Sequence, residues 1–203
     1  MIYRCSRWCR CEPQGGNVPA SNHAHNIEIE LKARIQDRKH VEEKLARFMH
    51  CVGEIHKSDE YWEIPGALCS DTTTFRLRLR SEPGRFSATF KEKSFDGSLE
   101  INREYEFTID GEASFRALVE RLKGKLVYRK EKHGTRWENA KGMVAEVVEV
   151  STLGLFLEVE CVCDDRDAIA QEEAKLRLYE VVDRCGLSRK TLEARPYSQL
   201  LGY

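Results

Sequence analysis

Charged side chains recur at every second position in several short stretches of this sequence. Residues 26–35, "NIEIELKARI", place Glu28, Glu30 and Lys32 on one side of an apolar row. An alternation of period two is typical of a β-strand with one apolar and one polar face, and side chains two residues apart lie roughly 6.5–7 Å from one another on that face. What such a face can do depends on whether it meets bulk water or lines an enclosed site.

Charged residues also occupy alternate positions in "TFRLRLR", "SATFKEK", "NREYEF", "YRKEK" and "FLEVE". For any single strand, a solvated polar face is the simpler interpretation. A solvated face, however, usually mixes Thr, Ser, Gln and Asn with its charges, so six such strands favour an interior lining. The residues concerned are eight basic side chains, Lys32, Arg76, Arg78, Arg80, Lys91, Lys93, Lys130 and Lys132, and six acidic ones, Glu28, Glu30, Glu104, Glu106, Glu158 and Glu160.

A closed β-barrel with its charged faces inside and its apolar faces under helices would accommodate this pattern. Burying so many like charges without partners would be prohibitive, so the lining needs a ligand of its own. Arg and Lys suit phosphate oxygens, and grouped carboxylates suit Mg²⁺ or Mn²⁺. The pattern therefore favours a polyphosphate bound together with divalent metal over a sugar, lipid or peptide.

The elements that must position these residues can be read from the same periodicities. Turn signals "SEPGR" and "FDGS" separate three of the strands, and Gly186 follows the last helix where a C-cap is expected. With no internal repeat, the pattern predicts one mostly antiparallel α+β domain. Strands are predicted at about residues 26–35, 59–64, 73–80, 85–93, 99–109, 126–138, 143–150 and 155–163, and helices at 38–51, 112–122 and 165–185.

Composition narrows the class of protein further. The 203 residues carry 33 basic and 34 acidic side chains, a near balance that predicts neither a nucleic acid nor a membrane surface as partner. No apolar run is long enough to span a membrane, and residues 1–25 lack the apolar core of a signal peptide, so we expect a cytoplasmic protein. We expect residues 1–25 to be a flexible, dispensable leader rather than a zinc site built from Cys5, Cys9, Cys11 and a histidine.

Taken in order, these motifs carry a resemblance to a known family. "EIELK" resembles the ExExK signature of the CYTH superfamily, the triphosphate tunnel metalloenzymes. The resemblance continues through "DEYW", "LRLR", "TFK", "REYE", "LGLFLEVE" and "RPYSQLLGY", from about Asn26 to Tyr203, and is greatest to the class IV adenylyl cyclase branch. It implies a closed eight-stranded antiparallel tunnel with helices packed outside, over residues 26–203. It also implies that the substrate is a nucleoside triphosphate or an inorganic polyphosphate.

The resemblance implies a role for each matching residue. Glu28, Glu30, Glu158 and Glu160 would hold Mg²⁺ or Mn²⁺. Glu104, Glu106, Arg80 and Lys93 match less closely, and the two glutamates could instead be partners of basic side chains. The residues that would bind phosphate are Lys32, Arg76, Arg78, Lys91, Lys130 and Lys132, with Arg136 as a further candidate.

One position departs from the cyclase pattern. Cyclase-like members carry an acidic residue five positions before the Leu-Gly pair, and this chain has Val148 there, with Glu146 and Glu149 nearby. The reaction therefore stays open between an adenylyl cyclase that forms cyclic AMP and pyrophosphate and a triphosphatase that releases orthophosphate. A non-catalytic polyphosphate-binding module is a third reading, which the paired carboxylates disfavour. The sequence also leaves open whether the chain forms a homodimer.

Overall fold

A computed structural model describes residues 26–64 and 76–203 of the chain. Its eight strands form one closed antiparallel barrel in the order β1-β5-β4-β3-β2-β6-β7-β8, which confirms the predicted fold. The strands are β1 (Asn26–Arg34), β2 (His50–Glu63), β3 (Arg76–Glu82), β4 (Arg85–Asp96), β5 (Leu99–Thr108), β6 (Lys125–Glu138), β7 (Met143–Val150) and β8 (Gly154–Asp164), and the helices are α1 (Arg38–Leu45), α2 (Glu112–Arg121), α3 (Ala168–Arg184) and α4 (Tyr197–Leu200).

The first strand closes the barrel, because it pairs with β5 on one side and β8 on the other. Glu30 lies opposite Glu100 of β5 and Glu160 of β8 in this register. The apolar residues of β1 alternate with these charges, and Ile29 and Leu31 are fully buried on the outer face. The period-two pattern therefore sorts apolar residues outward and charged residues inward, the reverse of a barrel that encloses an apolar core.

Two helices cover the apolar outer face of β1, β7 and β8. Val41 and Leu45 of α1 and Leu178 and Val182 of α3 are buried in the same cluster as the outward residues of these strands. Asp37 caps α1 by accepting a hydrogen bond of 3.0 Å from the backbone N–H of His40. On the other side of the barrel, α2 places Phe115 against a smaller cluster on β3 and β4.

The second strand is longer than predicted, and the first helix is shorter. The prediction continued α1 to Cys51 with Val52 on its apolar stripe, but β2 begins at His50 and Val52 is 54% exposed. This difference arises from tertiary structure, because β6 lies beside the segment and pairs with it from His50 onward. The backbone N–H and C=O groups that would form hydrogen bonds within one more helical turn form them with β6 instead. This correction adds residues 50–58 to the barrel wall.

A third apolar cluster lies inside the barrel, beside α4. It contains Val148 and Val150 of β7, Phe156 of β8 and Tyr197 of α4. Val148 comes two residues after Glu146 and lies on the same inward face of β7, and Phe156 of β8 lies directly opposite Val148. Part of the interior is therefore filled by apolar side chains rather than by charge.

Some predictions fall outside the described part of the chain. These are the leader at residues 1–25, with its cysteines, and the first residues of the strand predicted at 73–80. Within the described ranges, no helix combines the length and the apolar character that crossing a membrane requires.

Candidate active site

The barrel encloses a cavity of about 720 Å³, a size typical of sites for small molecules and cofactors. The side chain of Arg76 lies outside the described part of the chain, so its placement cannot be compared with the prediction. The cavity is lined by every other predicted site residue: Glu28, Glu30, Lys32, Arg78, Arg80, Lys91, Lys93, Glu104, Glu106, Lys130, Lys132, Arg136, Glu158 and Glu160.

Three carboxylates converge in this cavity. Glu28, Glu30 and Glu160 each place a carboxylate oxygen within 4.8 Å of the other two. Burial raises the pKa of all three, and neighbouring glutamates raise the pKa further. Within the described ranges, Glu30 and Glu160 have no lysine or arginine nitrogen within 4.0 Å.

This donor set fits a hard divalent cation. Mg²⁺ and Mn²⁺ prefer oxygen ligands, and a cation would offset both the burial and the mutual repulsion that raise the three pKa values. Among the described residues, Glu28, Glu30 and Glu160 are therefore the group that would hold a metal ion.

Glu158, the fourth predicted metal ligand, lies apart from these three. Its carboxylate accepts a hydrogen bond of 2.7 Å from the ammonium of Lys132 and another from the hydroxyl of Tyr197. Burial alone would raise the pKa of Glu158, but Lys132 and Lys130 outweigh burial and lower it to about 2. Glu158 is therefore the ionic partner of Lys132, with the charge of Lys130 nearby.

Most of the basic lining is also paired with carboxylates. Lys91 contacts Glu28 at 3.2 Å and also pairs with Glu104, and Arg78 lies 3.4 Å from Glu106. Although burial by itself lowers the pKa of Lys91, Glu28 and Glu104 raise it. These side chains are held in ionic networks before any anion arrives.

Arg80 and Lys130 share one buried carboxylate. Arg80 donates two hydrogen bonds to Asp59, of 2.6 and 2.8 Å, and Lys130 lies 3.3 Å from the same group. Lys32 differs from both, because it is 4% exposed and has no carboxylate oxygen within 4.0 Å in the described ranges. Lys32 is therefore a buried cation that carries no direct counter-charge.

Several lining residues were missed from sequence. Lys57, Asp59 and Tyr61 alternate along β2 in "KSDEYW". Lys57 precedes the strand predicted at 59–64, whereas Asp59 and Tyr61 lie within it but were not recognised as inward-facing residues. Glu146 is 4% exposed and bonds to Lys57 at 2.5 Å and to Arg136 at 3.1 Å. Glu100 and Tyr197, which were also missed, face the cavity as well.

Two histidines at neighbouring positions on β2 and β6 lie away from this site. His56 pairs with Glu131 at 3.3 Å and His133 with Glu149 at 3.2 Å, and more than half of each histidine side chain is exposed. Neither lines the cavity. Proton transfer within the cavity therefore cannot be assigned to either histidine.

Fold and site together define a closed antiparallel barrel with a charged interior and a carboxylate cluster suited to a divalent cation. The sequence pattern of the CYTH domain family matches residues 26–197, and the chain belongs to that family. A protein of Methanocaldococcus jannaschii named as a candidate adenylate cyclase is 26% identical over 182 residues, which are 87% of this chain and 99% of that protein.

Solved structures share the fold. A conserved hypothetical protein from Pyrococcus furiosus superposes with a TM-score of 0.69 at 27% identity, over 85% of this chain and 99% of that one. A Hippeastrum protein, described as a candidate adenylyl cyclase with a dominant triphosphatase activity, superposes with a TM-score of 0.60 at 15% identity, over 87% and 93% of the two chains.

Proposed function

We propose that this protein is a Mg²⁺- or Mn²⁺-dependent enzyme that acts on the triphosphate of ATP, as an adenylyl cyclase of class IV type. The observation that carries the proposal is the placement of Glu28, Glu30 and Glu160 in one cavity with the basic lining. A pure anion-binding site has no use for three converging carboxylates with raised pKa values. The name of the M. jannaschii relative supports the cyclase assignment.

The basic residues bind and orient the triphosphate. Lys32 offers an ammonium without a carboxylate in direct contact in the described ranges, while Lys91 and Arg78 can exchange carboxylate partners for phosphate oxygens. When bound at the three glutamates, Mg²⁺ or Mn²⁺ supplies charge neutralisation and Lewis-acid polarisation of phosphate oxygens. In a cyclase the ribose 3′-hydroxyl attacks the α-phosphorus and passes its proton to water, while pyrophosphate leaves with the electron pair of the broken P–O bond.

Triphosphate hydrolysis is the second candidate, and one observation favours it. Val148 occupies the position of the acidic residue of cyclase-like members, and it packs against Phe156 and Tyr197 in the apolar interior cluster. The nearest inward carboxylate, Glu146, is bonded to Lys57 and Arg136. With water as nucleophile at the γ-phosphorus, the same lining would release orthophosphate.

Replacing single carboxylates tests the proposal. Glu28→Gln and Glu30→Gln keep the shape of the side chain and remove the charge that a cation needs. With ATP and Mn²⁺, wild-type protein is expected to form cyclic AMP and pyrophosphate, and each variant should lose at least about two orders of magnitude in rate, or roughly 2.7 kcal/mol of transition-state stabilisation. Separate assays for cyclic AMP, pyrophosphate and orthophosphate identify the reaction.

A matched control is available on β4. Glu92 lies between Lys91 and Lys93 but is exposed on the opposite face of the strand, so Glu92→Gln should leave the rate within about twofold. Orthophosphate without cyclic AMP would replace the cyclase assignment by triphosphatase. Binding of ATP without turnover under any divalent metal would make the protein a binding module.

A further inference from the structure

The ring of Tyr197 lies among the phosphate-binding lysines. Tyr197 is the first residue of α4, is 8% exposed, and lines the cavity. On one side the Tyr197 ring has an apolar neighbour, Phe156, which it contacts edge to face with ring centroids 5.2 Å apart. The C-terminal helix thus brings an aromatic side chain into a barrel interior that is otherwise rich in charge.

Three ammonium groups surround this one ring. The Nζ atoms of Lys130, Lys132 and Lys32 lie 4.8, 5.0 and 5.4 Å from its centroid. Separations of this size are within the range of cation–π attraction, which arises from the negative face of the aromatic ring. Lys32 lies on β1 and Lys132 on β6, and β7 and β8 separate these two strands. No local sequence signal therefore links Lys32 to the other two lysines.

A ring stabilises cations differently from a carboxylate. A carboxylate in contact with an ammonium cancels its charge and must be displaced before a phosphate oxygen can take its place. A ring attracts the ammonium without a formal negative charge, so the cation stays available to an incoming anion. Lys32, which has no carboxylate within 4.0 Å in the described ranges, depends on this attraction more than the other two.

The hydroxyl of Tyr197 adds a second constraint. It donates a hydrogen bond to Glu158, the same carboxylate that accepts from Lys132. The phenol therefore directs Glu158 toward Lys132, while the three carboxylates Glu28, Glu30 and Glu160 form a separate group.

We infer that Tyr197 is a positioning residue of the triphosphate site: its ring holds the ammonium groups of Lys32, Lys130 and Lys132 close together, of which Lys32 has no carboxylate contact in the described ranges, and its hydroxyl orients Glu158. The inference rests on the proposed function, because it assigns these lysines to the triphosphate. It makes α4 part of the site as well as part of the apolar interior cluster.

Two substitutions separate the ring from the hydroxyl. Tyr197→Phe keeps the ring, and Tyr197→Leu keeps an apolar side chain without one. Binding of tripolyphosphate, measured by calorimetry with a chelator present, is expected to stay within about threefold of wild type in Tyr197→Phe and to weaken by on the order of tenfold in Tyr197→Leu. In ATP turnover, Tyr197→Leu should raise KM more than it lowers kcat.

Two controls distinguish positioning from folding. Leu200 packs against the same apolar cluster but does not line the cavity, so Leu200→Ala should lower the thermal midpoint and leave tripolyphosphate affinity unchanged. A fluorinated phenylalanine at position 197 keeps the shape of Phe but weakens the negative face of its ring, and should bind tripolyphosphate less tightly than Tyr197→Phe. This second variant still decides the matter if Tyr197→Leu does not fold.

Three results would overturn the inference while leaving the proposed function standing. They are wild-type affinity in Tyr197→Leu, an equal loss of affinity in Leu200→Ala, and equal affinity of the fluorinated and unfluorinated rings. Failure of the wild-type protein to bind tripolyphosphate would instead overturn the proposed function, and the inference with it.

Discussion

Lys32 and Lys91 line the same cavity but differ in their partners, so replacing each by alanine should separate binding from stability. Lys91 pairs with Glu28 at 3.2 Å and with Glu104. Lys32 has no carboxylate within 4.0 Å in the described ranges, although it is 4% exposed. Both ammonium groups are expected to contact phosphate, so Lys32→Ala and Lys91→Ala should each weaken tripolyphosphate binding by at least about tenfold.

The two variants are expected to differ in stability. Removing one partner of a fully buried ion pair costs about 3–5 kcal/mol because the other charge is left without compensation. The Lys91 side chain keeps 16% of its exposure, so we expect Lys91→Ala to lower the free energy of unfolding by about 2–3 kcal/mol after allowing for screening by water. Lys32→Ala removes a buried charge without a counter-charge, and should change stability by less than about 1 kcal/mol or increase it.

Denaturant unfolding at two pH values provides the assay. The loss caused by Lys91→Ala should be larger at about pH 8 than at about pH 5, because Glu28, whose pKa burial already raises, can take up a proton at the lower pH and relieve its unpaired charge. Equal destabilisation by the two variants would refute the distinction between paired and unpaired lysines. Unchanged stability in Lys91→Ala would show that its two carboxylate contacts contribute nothing to folding.

Two further predictions follow from the same interior. The affinity for Mn²⁺, measured by calorimetry, should rise from about pH 5 to about pH 8, because protons compete for three carboxylates whose pKa values are raised above the ordinary 4.5. An affinity that does not change with pH would contradict the assignment of these carboxylates to the metal. In the metal-free protein, the contribution of these groups to stability is complete below pH 4.5 and is lost as the pH rises through the raised pKa values. Gly134→Ala should lower the free energy of unfolding by more than about 2 kcal/mol, because a Cβ there would overlap the carbonyl oxygen of Val147 and lie 2.8 Å from the Cα of Val148; denaturant titration with wild-type stability would show that β6 and β7 can separate at this point.

The wall of the barrel was largely determined by local sequence. Strict alternation along "NIEIELKARI" sends Ile29 and Leu31 to one face and Glu28 and Glu30 to the other in any strand, whatever its neighbours. The same holds for the strands that carry Arg78, Lys91 and Lys130. Because side-chain direction in a strand depends only on residue parity, the inward charge and the need for outer helices could be predicted without knowing the strand order.

Strand boundaries depended on partners and were predicted less well. The segment from His50 to Ser58 forms a strand because β6 lies beside it, and its own residues gave a helical stripe through Val52. Propensity is a weak prior, which tertiary pairing overrides when it satisfies a whole ladder of backbone hydrogen bonds.

Grouping of the charges was decided only by the closed barrel. Sequence placed Glu158 and Glu160 together as metal ligands, yet only Glu160 joins Glu28 and Glu30, while Glu158 meets Lys132 and Tyr197. Residues two apart on one strand are roughly 6.5–7 Å from each other, so their nearest partners come from other strands. Those partners depend on strand order, register and the docking of α4, which are properties of the closed structure and not of any one segment.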